Sequence, residues 1–299
     1  MNARRPFLTA LALAVVAGLT ACGGGSDEPP PVVKPTTALV VTPSLGAVYG
    51  GTVTVYSANG TLLGTGTTST TDGKANVALT DYAAGTPIVI KLALNTGTTY
   101  FNEKTGANAT VSTAASLLST VNSIVANQAV GVTPLTNMAA KLAGLSSASV
   151  GSGTLSTPVT ADAIYTAVAK TNLALGLPAG TNILAAPVPA TAAAPTPTDT
   201  LGKLLAVMAK NTTSADPIAQ AQALEAAVNT NGTINTSAAA VINQVNTVLA
   251  NPSLNAGLSL KLTAPVLAPT TAQLNQAISD AKQAVDSGTA PTGGTGAGG

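Results

Sequence analysis

The 299-residue chain contains no histidine and no tryptophan, and it has a single cysteine. Without histidine it lacks the most common general base, the most common metal ligand and every serine–histidine–aspartate triad. A single cysteine allows neither an intramolecular disulfide nor a metal site built from several thiolates. The sequence therefore predicts a protein that is not an enzyme and that uses no metal or other cofactor.

Charge is equally scarce, since only 8% of the residues are Asp, Glu, Lys or Arg. The basic residues form no cluster, whereas proteins that bind nucleic acids neutralise phosphates with clustered Lys and Arg. We therefore predict that the protein has no nucleic-acid partner.

Carboxylates are the main candidates left for catalysis, as the pair that glycosidases use. Two of the 11 acidic residues, Asp27 and Glu28, precede a run of prolines, and the other nine are scattered along the chain. These nine are Asp72, Asp81, Glu103, Asp162, Asp199, Asp216, Glu225, Asp280 and Asp286. A hydrolase that uses carboxylates, or a serine with a lysine, is kept as the second of two alternative functions.

The first 21 residues have the layout of a cleavable export signal. Arg4 and Arg5 precede the uncharged apolar run Phe7–Leu19. As a helix this run would be about 20 Å long, at about 1.5 Å per residue, whereas a permanent span must cross a hydrocarbon core of about 30 Å. The sequence therefore predicts a signal peptide over residues 1–21 rather than a transmembrane helix.

The apolar run ends in Leu19-Thr20-Ala21-Cys22, which resembles the lipobox of bacterial lipoproteins. In that family a peptidase cuts before the cysteine, which carries diacylglycerol and a further acyl chain such as palmitate. The resemblance implies that Cys22 anchors the chain in the lipid bilayer, since several acyl chains, at about 0.8 kcal/mol per buried methylene, hold a protein firmly. Gly23 follows the cysteine in place of an aspartate. In the family this implies the outer membrane, on either its periplasmic or its surface face.

Residues 22–37 have the composition of a linker. Gly23–Gly25 give a flexible start, and Pro29–Pro31 and Pro35 favour an extended spacer. We expect this linker to hold the folded part of the chain away from the bilayer.

Residues 38–111 alternate between apolar and polar side chains, as strands do when one face is buried. The pairs Asn59-Gly60 and Asp72-Gly73 mark tight turns between short strands. The predicted strands include Thr52–Tyr56, Leu62–Gly66, Ala75–Leu79, Ile88–Leu94 and Thr98–Phe101. Turns about every 8 to 12 residues predict a small antiparallel β-sandwich.

Part of this region resembles carboxypeptidase-regulatory-like modules, which are transthyretin-like β-sandwiches of exported bacterial proteins. The residues that carry the resemblance are Gly51–Tyr56, Asn59-Gly60, Thr67–Thr71, Asp72–Lys74 and Ala75–Leu79. It covers Val48 to Leu94 and leaves the first strands and their order open. Such modules are usually non-catalytic spacers or binding units, so the resemblance implies a structural or binding role.

From Thr113 the apolar spacing changes to that of helices. Residues 112–287 predict an α-helical domain, interrupted at 177–198 by a Pro/Ala-rich segment that we interpret as a surface loop or a tether. The apolar faces of the predicted helices span Leu117–Val125, Leu135–Leu142, Ile164–Leu175, Leu201–Met208, Ile218–Val228, Val241–Leu249 and Leu274–Val285. Residues 288–299 are predicted to be a disordered Gly-rich tail.

The stretch Val132–Thr136, with the helical region behind it, is similar to uncharacterised exported lipoproteins. In those proteins a transthyretin-like module precedes such a helical domain. This resemblance supports the architecture and implies no chemistry.

The sequence therefore predicts a multidomain α+β protein, with a small antiparallel β-sandwich followed by an α-helical bundle. The predicted function is that of a membrane-anchored cell-envelope lipoprotein with a structural or binding role, whose partners are the bilayer and an envelope protein. The first alternative is a periplasmic protein that binds and presents a small apolar ligand in an Ala/Leu-lined gap of the helical domain. The ligand, the oligomeric state and the number of helical bundles stay open.

Overall fold

The computed structural model describes residues 36–229, 231–235, 240–255, 257–258 and 260–288. The predicted signal peptide, the lipobox, most of the linker and the tail after Gly288 lie outside these described residues. The mixed α+β content that the sequence predicts is confirmed, and the strands precede the helices along the chain.

Ten strands lie between Thr36 and Val132 in the described part of the chain. They are β1 (Thr36–Pro43), β2 (Val48–Tyr49), β3 (Thr52–Ser57), β4 (Leu62–Thr67), β5 (Ala75–Thr80), β6 (Ile88–Leu94), β7 (Thr99–Asn102), β8 (Ala107–Thr110), β9 (Ala115–Val121) and β10 (Gln128–Val132). The strands predicted before residue 111 are confirmed. In β5, for example, Ala75, Val77 and Leu79 are buried and the residues between them are exposed, as the apolar alternation requires.

The strands form three sheets, in the orders β4-β3-β6-β9, β10-β1-β5 and β2-β7-β8. All pairs are antiparallel except β1 with β10, which run parallel with Leu39 opposite Gln128 and Pro43 opposite Val132. The antiparallel pairing predicted for residues 38–111 holds for the strands in that range, and the parallel pair involves β10, which lies beyond it. Parallel neighbours need a long connection, and here the chain passes through β2 to β9 before it returns beside β1.

The central strand β6 of the four-stranded sheet has buried residues on both of its faces. On β6, Ile90 and Leu92 belong to a core shared with β1, β5 and β10, whereas Val89 packs into a second core among the helices. This follows from the strand geometry, because successive side chains point to opposite faces. The described residues accordingly belong to one compact unit.

The segment after β8 differs from its prediction. The spacing of Leu117 and Leu118 predicted a helix, but Ala115–Val121 is strand β9, paired antiparallel with β6. The helix prediction is wrong because both leucines are buried, in opposite cores, and two adjacent apolar residues fit a strand with two buried faces as well as a helix. The sheets therefore continue to Val132, past the domain boundary predicted at residue 111.

The helices follow β10. They are α1 (Pro134–Leu142), α2 (Ala161–Leu175), α3 (Thr200–Asn211), α4 (Pro217–Ala226), α5 (Ala240–Ala250), the short α6 (Pro252–Asn255) and α7 (Thr271–Asp286). None of the helices in the described part of the chain has both the length and the hydrophobicity of a transmembrane helix.

The helix ends coincide with the signals in the sequence. Thr133 caps α1 by accepting from the backbone N–H of Thr136, whose side chain in turn accepts from the Thr133 N–H, with Pro134 at the first helical position. Thr160 caps α2, and Gly176 ends it in the left-handed conformation that favours glycine. These ends are local in sequence, which makes them predictable.

Residues 177–198 contain no helix, as predicted, but they are not a surface loop. The side chains of Ile183 and Leu184 are buried, and Ala185 forms an antiparallel bridge with Val130 of β10. The prediction failed because a segment rich in proline and alanine reads as exposed, whereas this one packs against the outer edge of a sheet.

Candidate binding cleft

A cleft with a volume of about 520 Å³ opens beside the first residues of β10, and we call it the β10 cleft. Its walls come from parts of the chain that are far apart in sequence, within residues 121–130, 182–186 and 285–288. The volume falls within the range of about 300–1,000 Å³ that is typical of ligand sites.

One wall of the β10 cleft is the outer edge of β10. Across this edge the N–H of Gly131 donates to the carbonyl oxygen of Leu184 at 3.0 Å, and Val130 forms its bridge with Ala185. Ala129 is exposed and lies at the end of this pairing, beside the cleft. The edge of β10 is therefore covered by an internal segment near its end and borders the cleft at its start.

The lining of the β10 cleft combines neutral polar and aliphatic side chains. Asn122, Gln128 and Asn182 bring amide groups, and Val125 is 70% exposed. Asp286 is the one acidic side chain of the lining, and no aromatic ring contributes to it. Such a lining suits a ligand that offers both amide groups and aliphatic surface.

A hydrogen-bonded network holds the α7 wall of the cleft, and we call it the Tyr165 network. Tyr165 Oη donates to Asp286 Oδ1 at 2.6 Å, and Lys282 Nζ donates to Asp286 Oδ2 at the same distance. Asn122 Nδ2 donates to Asp286 Oδ1 at 3.3 Å and also to Tyr165 Oη. Lys282 Nζ lies 4.7 Å from the centre of the Tyr165 ring, within the range of a cation–π interaction. The end of α7 is thus tied both to α2 and to the residue after β9.

The protonation states of the Tyr165 network favour a structural role. Burial, followed by the hydrogen bond to Asp286, raises the pKa of Tyr165, so its hydroxyl stays protonated. Burial alone would raise the pKa of Asp286, but the hydrogen bonds from Lys282 and Tyr165 outweigh it and lower that pKa. The hydrogen bond to Asp286 raises the pKa of Lys282. All three groups therefore keep their ordinary charge at neutral pH, which suits a fixed wall and not a proton relay.

The spacing S-x-x-K of some serine hydrolases occurs once in the chain, at Ser279–Lys282 on α7. A lysine that acts as a base there must lose its proton. Lys282 instead donates to Asp286 and has a raised pKa, which favours the protonated form. The geometry at this spacing therefore gives the hydrolase alternative no support.

The pocket among the helices is small. A space of about 180 Å³ lies between α3 and the chain after α6, lined in part by Ala206, Val207 and Leu258. This volume is below the range of about 300–1,000 Å³ that is usual for small-molecule sites. This pocket therefore gives little support to the first alternative, a small apolar ligand held by the helical region, which stays a prediction.

The acidic residues named from the sequence occupy separate positions. Asp199 and Asp216 accept from backbone N–H groups at the starts of α3 and α4, at 3.0 Å and 2.8 Å, and Glu225 accepts from Asn137 at 3.0 Å. Within the described ranges, no group of three or more Asp, Glu, His or Cys side chains is arranged to hold a metal ion. The predicted lipidation residues Leu19, Thr20, Ala21 and Cys22 lie outside the described residues.

A buried carboxyl group escaped the sequence analysis. Glu103, in the turn between β7 and β8, is 2% exposed, and its Oε1 has no hydrogen-bond partner among the described residues. Burial raises the pKa of Glu103 to about 7, against the opposing effects of the Gly46 backbone and the charge of Lys210. No signal in the sequence marks this residue, since Asn102–Gly106 reads as an ordinary exposed hairpin turn.

Comparison of the chain with protein-family models, with curated proteins and with solved structures gave no match. The resemblances to lipoproteins and to transthyretin-like modules therefore rest on the residues that carry them. The function is argued below from those residues and from the geometry of the β10 cleft.

Proposed function

We propose that this chain is a lipid-anchored protein of the bacterial cell envelope that acts by binding a partner protein through the β10 cleft, without catalysis. The observation that carries the anchoring is Leu19-Thr20-Ala21-Cys22 at the end of an apolar segment that is too short to span a bilayer. Cys22 is the only cysteine of the chain and stands at the position where a lipobox needs it. Gly23 after it favours the outer membrane.

The proposed architecture is a transthyretin-like sandwich with a helical bundle packed on it. The sheets β10-β1-β5 and β4-β3-β6-β9 contribute side chains to one shared core, as the two halves of a sandwich do. The other face of the four-stranded sheet meets α1, and α2 packs against α1 and α7. In this proposal the sandwich and helices form a rigid body that carries the cleft.

A binding role is proposed because the β10 cleft has the size of a ligand site and lacks reactive groups. Its one carboxylate, Asp286, is already engaged by Lys282 and Tyr165. The chain has no histidine, and its one cysteine is assigned to the anchor. Amide and aliphatic side chains are then the groups that the cleft offers to a partner.

The anchor is tested by producing the full chain in a bacterial host with a clickable fatty acid in the medium. The wild-type protein is expected to incorporate the label and to sediment with membranes, whereas Cys22→Ala is expected to do neither. Ser26→Ala, four residues along the linker, serves as the control and should behave as the wild type does. A Cys22→Ala protein that stays uncut at the signal and incorporates label would contradict the anchor.

The binding role is tested in the same cells by photo-cross-linking. Gln128→p-benzoylphenylalanine places the reactive group at the β10 cleft, and Lys74→p-benzoylphenylalanine places it on an exposed turn at the opposite end of the sheet. We expect a discrete cross-linked product from position 128 only. Identical products from both positions, or none from position 128, would count against a binding role for the cleft.

A further inference from the structure

We propose that the β10 cleft takes an extended, uncharged polypeptide segment of its partner, whose backbone continues the antiparallel pairing on β10 and whose aliphatic side chain covers Val125. This inference deepens the proposed binding function and rests on it. It concerns the class of ligand, which the binding role alone leaves open.

The sheet edges of the molecule differ in how they are protected. At the outer edge of β9, both backbone polar groups of Leu118 are hydrogen-bonded. Its N–H donates to Asn137 Oδ1 at 2.8 Å, and its carbonyl oxygen accepts from Thr136 Oγ1 at 3.0 Å. Helix α1 thus closes this edge to other strands. In the described part of the chain the outer edge of β10 pairs with the non-helical residues Leu184 and Ala185, and its start borders the cleft.

The edge of β10 already shows how it pairs with an extended chain. Its outward N–H at Gly131 donates to Leu184, in an antiparallel arrangement centred on Val130 and Ala185. Because backbone groups alternate between the two sides of a strand, the residue two positions earlier, Ala129, also directs its N–H outward. A segment in the cleft can therefore accept a hydrogen bond from Ala129 and extend the pairing that is already present.

An exposed aliphatic side chain marks the rim of the cleft. Three large hydrophobic side chains are exposed in the described part of the chain, those of Leu62, Val125 and Val188. Val125 is the most exposed of them, at 70%. Val125 lines the β10 cleft and lies in the segment that connects β9 with β10. Covering this side chain with an aliphatic group of a partner would remove apolar surface from water, at about 25 cal/mol per Å².

The side chains that line the β10 cleft favour a polypeptide over other classes of ligand. A sugar is usually stacked on an aromatic ring, and the lining contains none. A charged ligand needs an unpaired opposite charge, whereas Asp286 is balanced by Lys282 at 2.6 Å. Asn182 already bonds to the backbone of Leu184 and Ala284, and Asn122 Nδ2 belongs to the Tyr165 network. Gln128 Oε1 accepts from the Val125 N–H. Asn122 Oδ1 and Gln128 Nε2 are then the acceptor and the donor that the lining offers to a peptide backbone. An extended, uncharged segment fits this set of groups.

The experiment uses the full lipidated chain in detergent and a random twelve-residue peptide display library as the probe. Enriched peptides are synthesised, and their affinity is measured by fluorescence anisotropy. Val125→Asp is expected to weaken binding about tenfold or more, because it removes the apolar contact and places a charge against the aliphatic side chain of the peptide. Leu62→Asp is the matched control, since Leu62 is also an exposed aliphatic residue, 57% exposed, but lies at a different surface. This control should leave the affinity unchanged.

The backbone contact is tested separately by Ala129→Pro, which removes the N–H that points to the cleft, with Ala107→Pro on exposed β8 as its control. Because Ala129→Pro risks a change in β10 itself, peptides with single N-methylated or ester-replaced positions give a second measurement on the unchanged protein. Loss of affinity at alternating positions is the expected signature of strand pairing.

Failure of this inference is distinguishable from failure of the binding role. No enriched peptide, or peptides that Val125→Asp and Leu62→Asp affect equally, would overturn the polypeptide ligand. If the cross-link from position 128 still forms in cells under those results, and Val125→Asp leaves it unchanged, the cleft binds a partner in another way. Absence of that cross-link counts against the proposed function itself.

Discussion

Stability should fall as the pH rises from 5 to 8, because Glu103 is buried with a carboxyl oxygen that lacks a partner. Folding raises the pKa of Glu103 from 4.5 to about 7. A group whose pKa is higher in the folded state binds its proton more tightly there. Its contribution to stability is therefore complete below pH 4.5 and is lost as the pH rises to about 7.

The size of the effect follows from the two pKa values of Glu103. A difference of about 2.5, at about 1.4 kcal/mol per pKa unit, corresponds to about 3 kcal/mol between pH 4.5 and pH 8. Over the range from pH 5 to pH 8 the expected loss is slightly smaller, about 2–3 kcal/mol. This is a large fraction of the stability of about 5–15 kcal/mol that most proteins have.

Urea unfolding of the full chain at pH 5, 6, 7 and 8 measures this change, and Glu103→Gln tests its origin. Glutamine keeps the shape of the protonated carboxyl and cannot ionise, so Glu103→Gln should flatten the pH dependence and raise the stability at pH 8. Asp72→Asn is the control, because Asp72 is exposed and its Oδ1 accepts from the Lys74 N–H in a way that asparagine preserves. The reasoning is refuted if the stability of the wild type stays level or rises over this range. It is also refuted if Glu103→Gln keeps the full pH dependence.

Two further substitutions test the contacts that close the sheet edge and fix the cleft. Asn137→Ala should cost about 1–3 kcal/mol of unfolding free energy, because it leaves the buried N–H of Leu118 without its acceptor; Asn108→Ala on exposed β8 should cost much less in the same urea titration. Tyr165→Phe should cost about 1 kcal/mol by removing the hydrogen bond to Asp286. It should also raise the pKa of Asp286 in an NMR titration, and an unchanged pKa would contradict the role given to the Tyr165 network.

The parts of the fold that the sequence predicts well are those fixed by neighbouring residues. Helix α7 (Thr271–Asp286) contains the apolar face predicted over Leu274–Val285, since the apolar period is regular and Thr270 supplies a capping box. The hairpin β3–β4 follows from Asn59-Gly60, where Gly60 has the positive φ that the turn requires. In each case the decisive interactions join residues a few positions apart.

The errors arise where distant parts of the chain decide the local structure. Leu117 and Leu118 form a strand because β6 offers an open edge and because apolar surface lies on both sides of it. Ile183 and Leu184, within residues 177–198, are buried because this part of the segment pairs with the outer edge of β10. The strand that each segment pairs with lies elsewhere in the sequence. The structure of neither segment can therefore be predicted from that segment's own composition or apolar spacing.

The same distinction explains why the proposed anchor can be predicted from the sequence and the cleft cannot. Leu19–Cys22 is a contiguous motif that resembles a lipobox. The β10 cleft brings together Asn122, Val125, Asn182 and Asp286, none of which belongs to a motif. What joins them is the parallel pairing of β10 with β1, which places the start of β10 between the end of β9 and the end of α7 and leaves its edge only partly covered. In the described residues a helix covers the edge of β9, whereas the start of β10 lies beside an exposed valine. Stability alone does not require this difference between the two edges. Binding at that edge supplies a reason for it, since a strand that is sealed cannot pair with a partner.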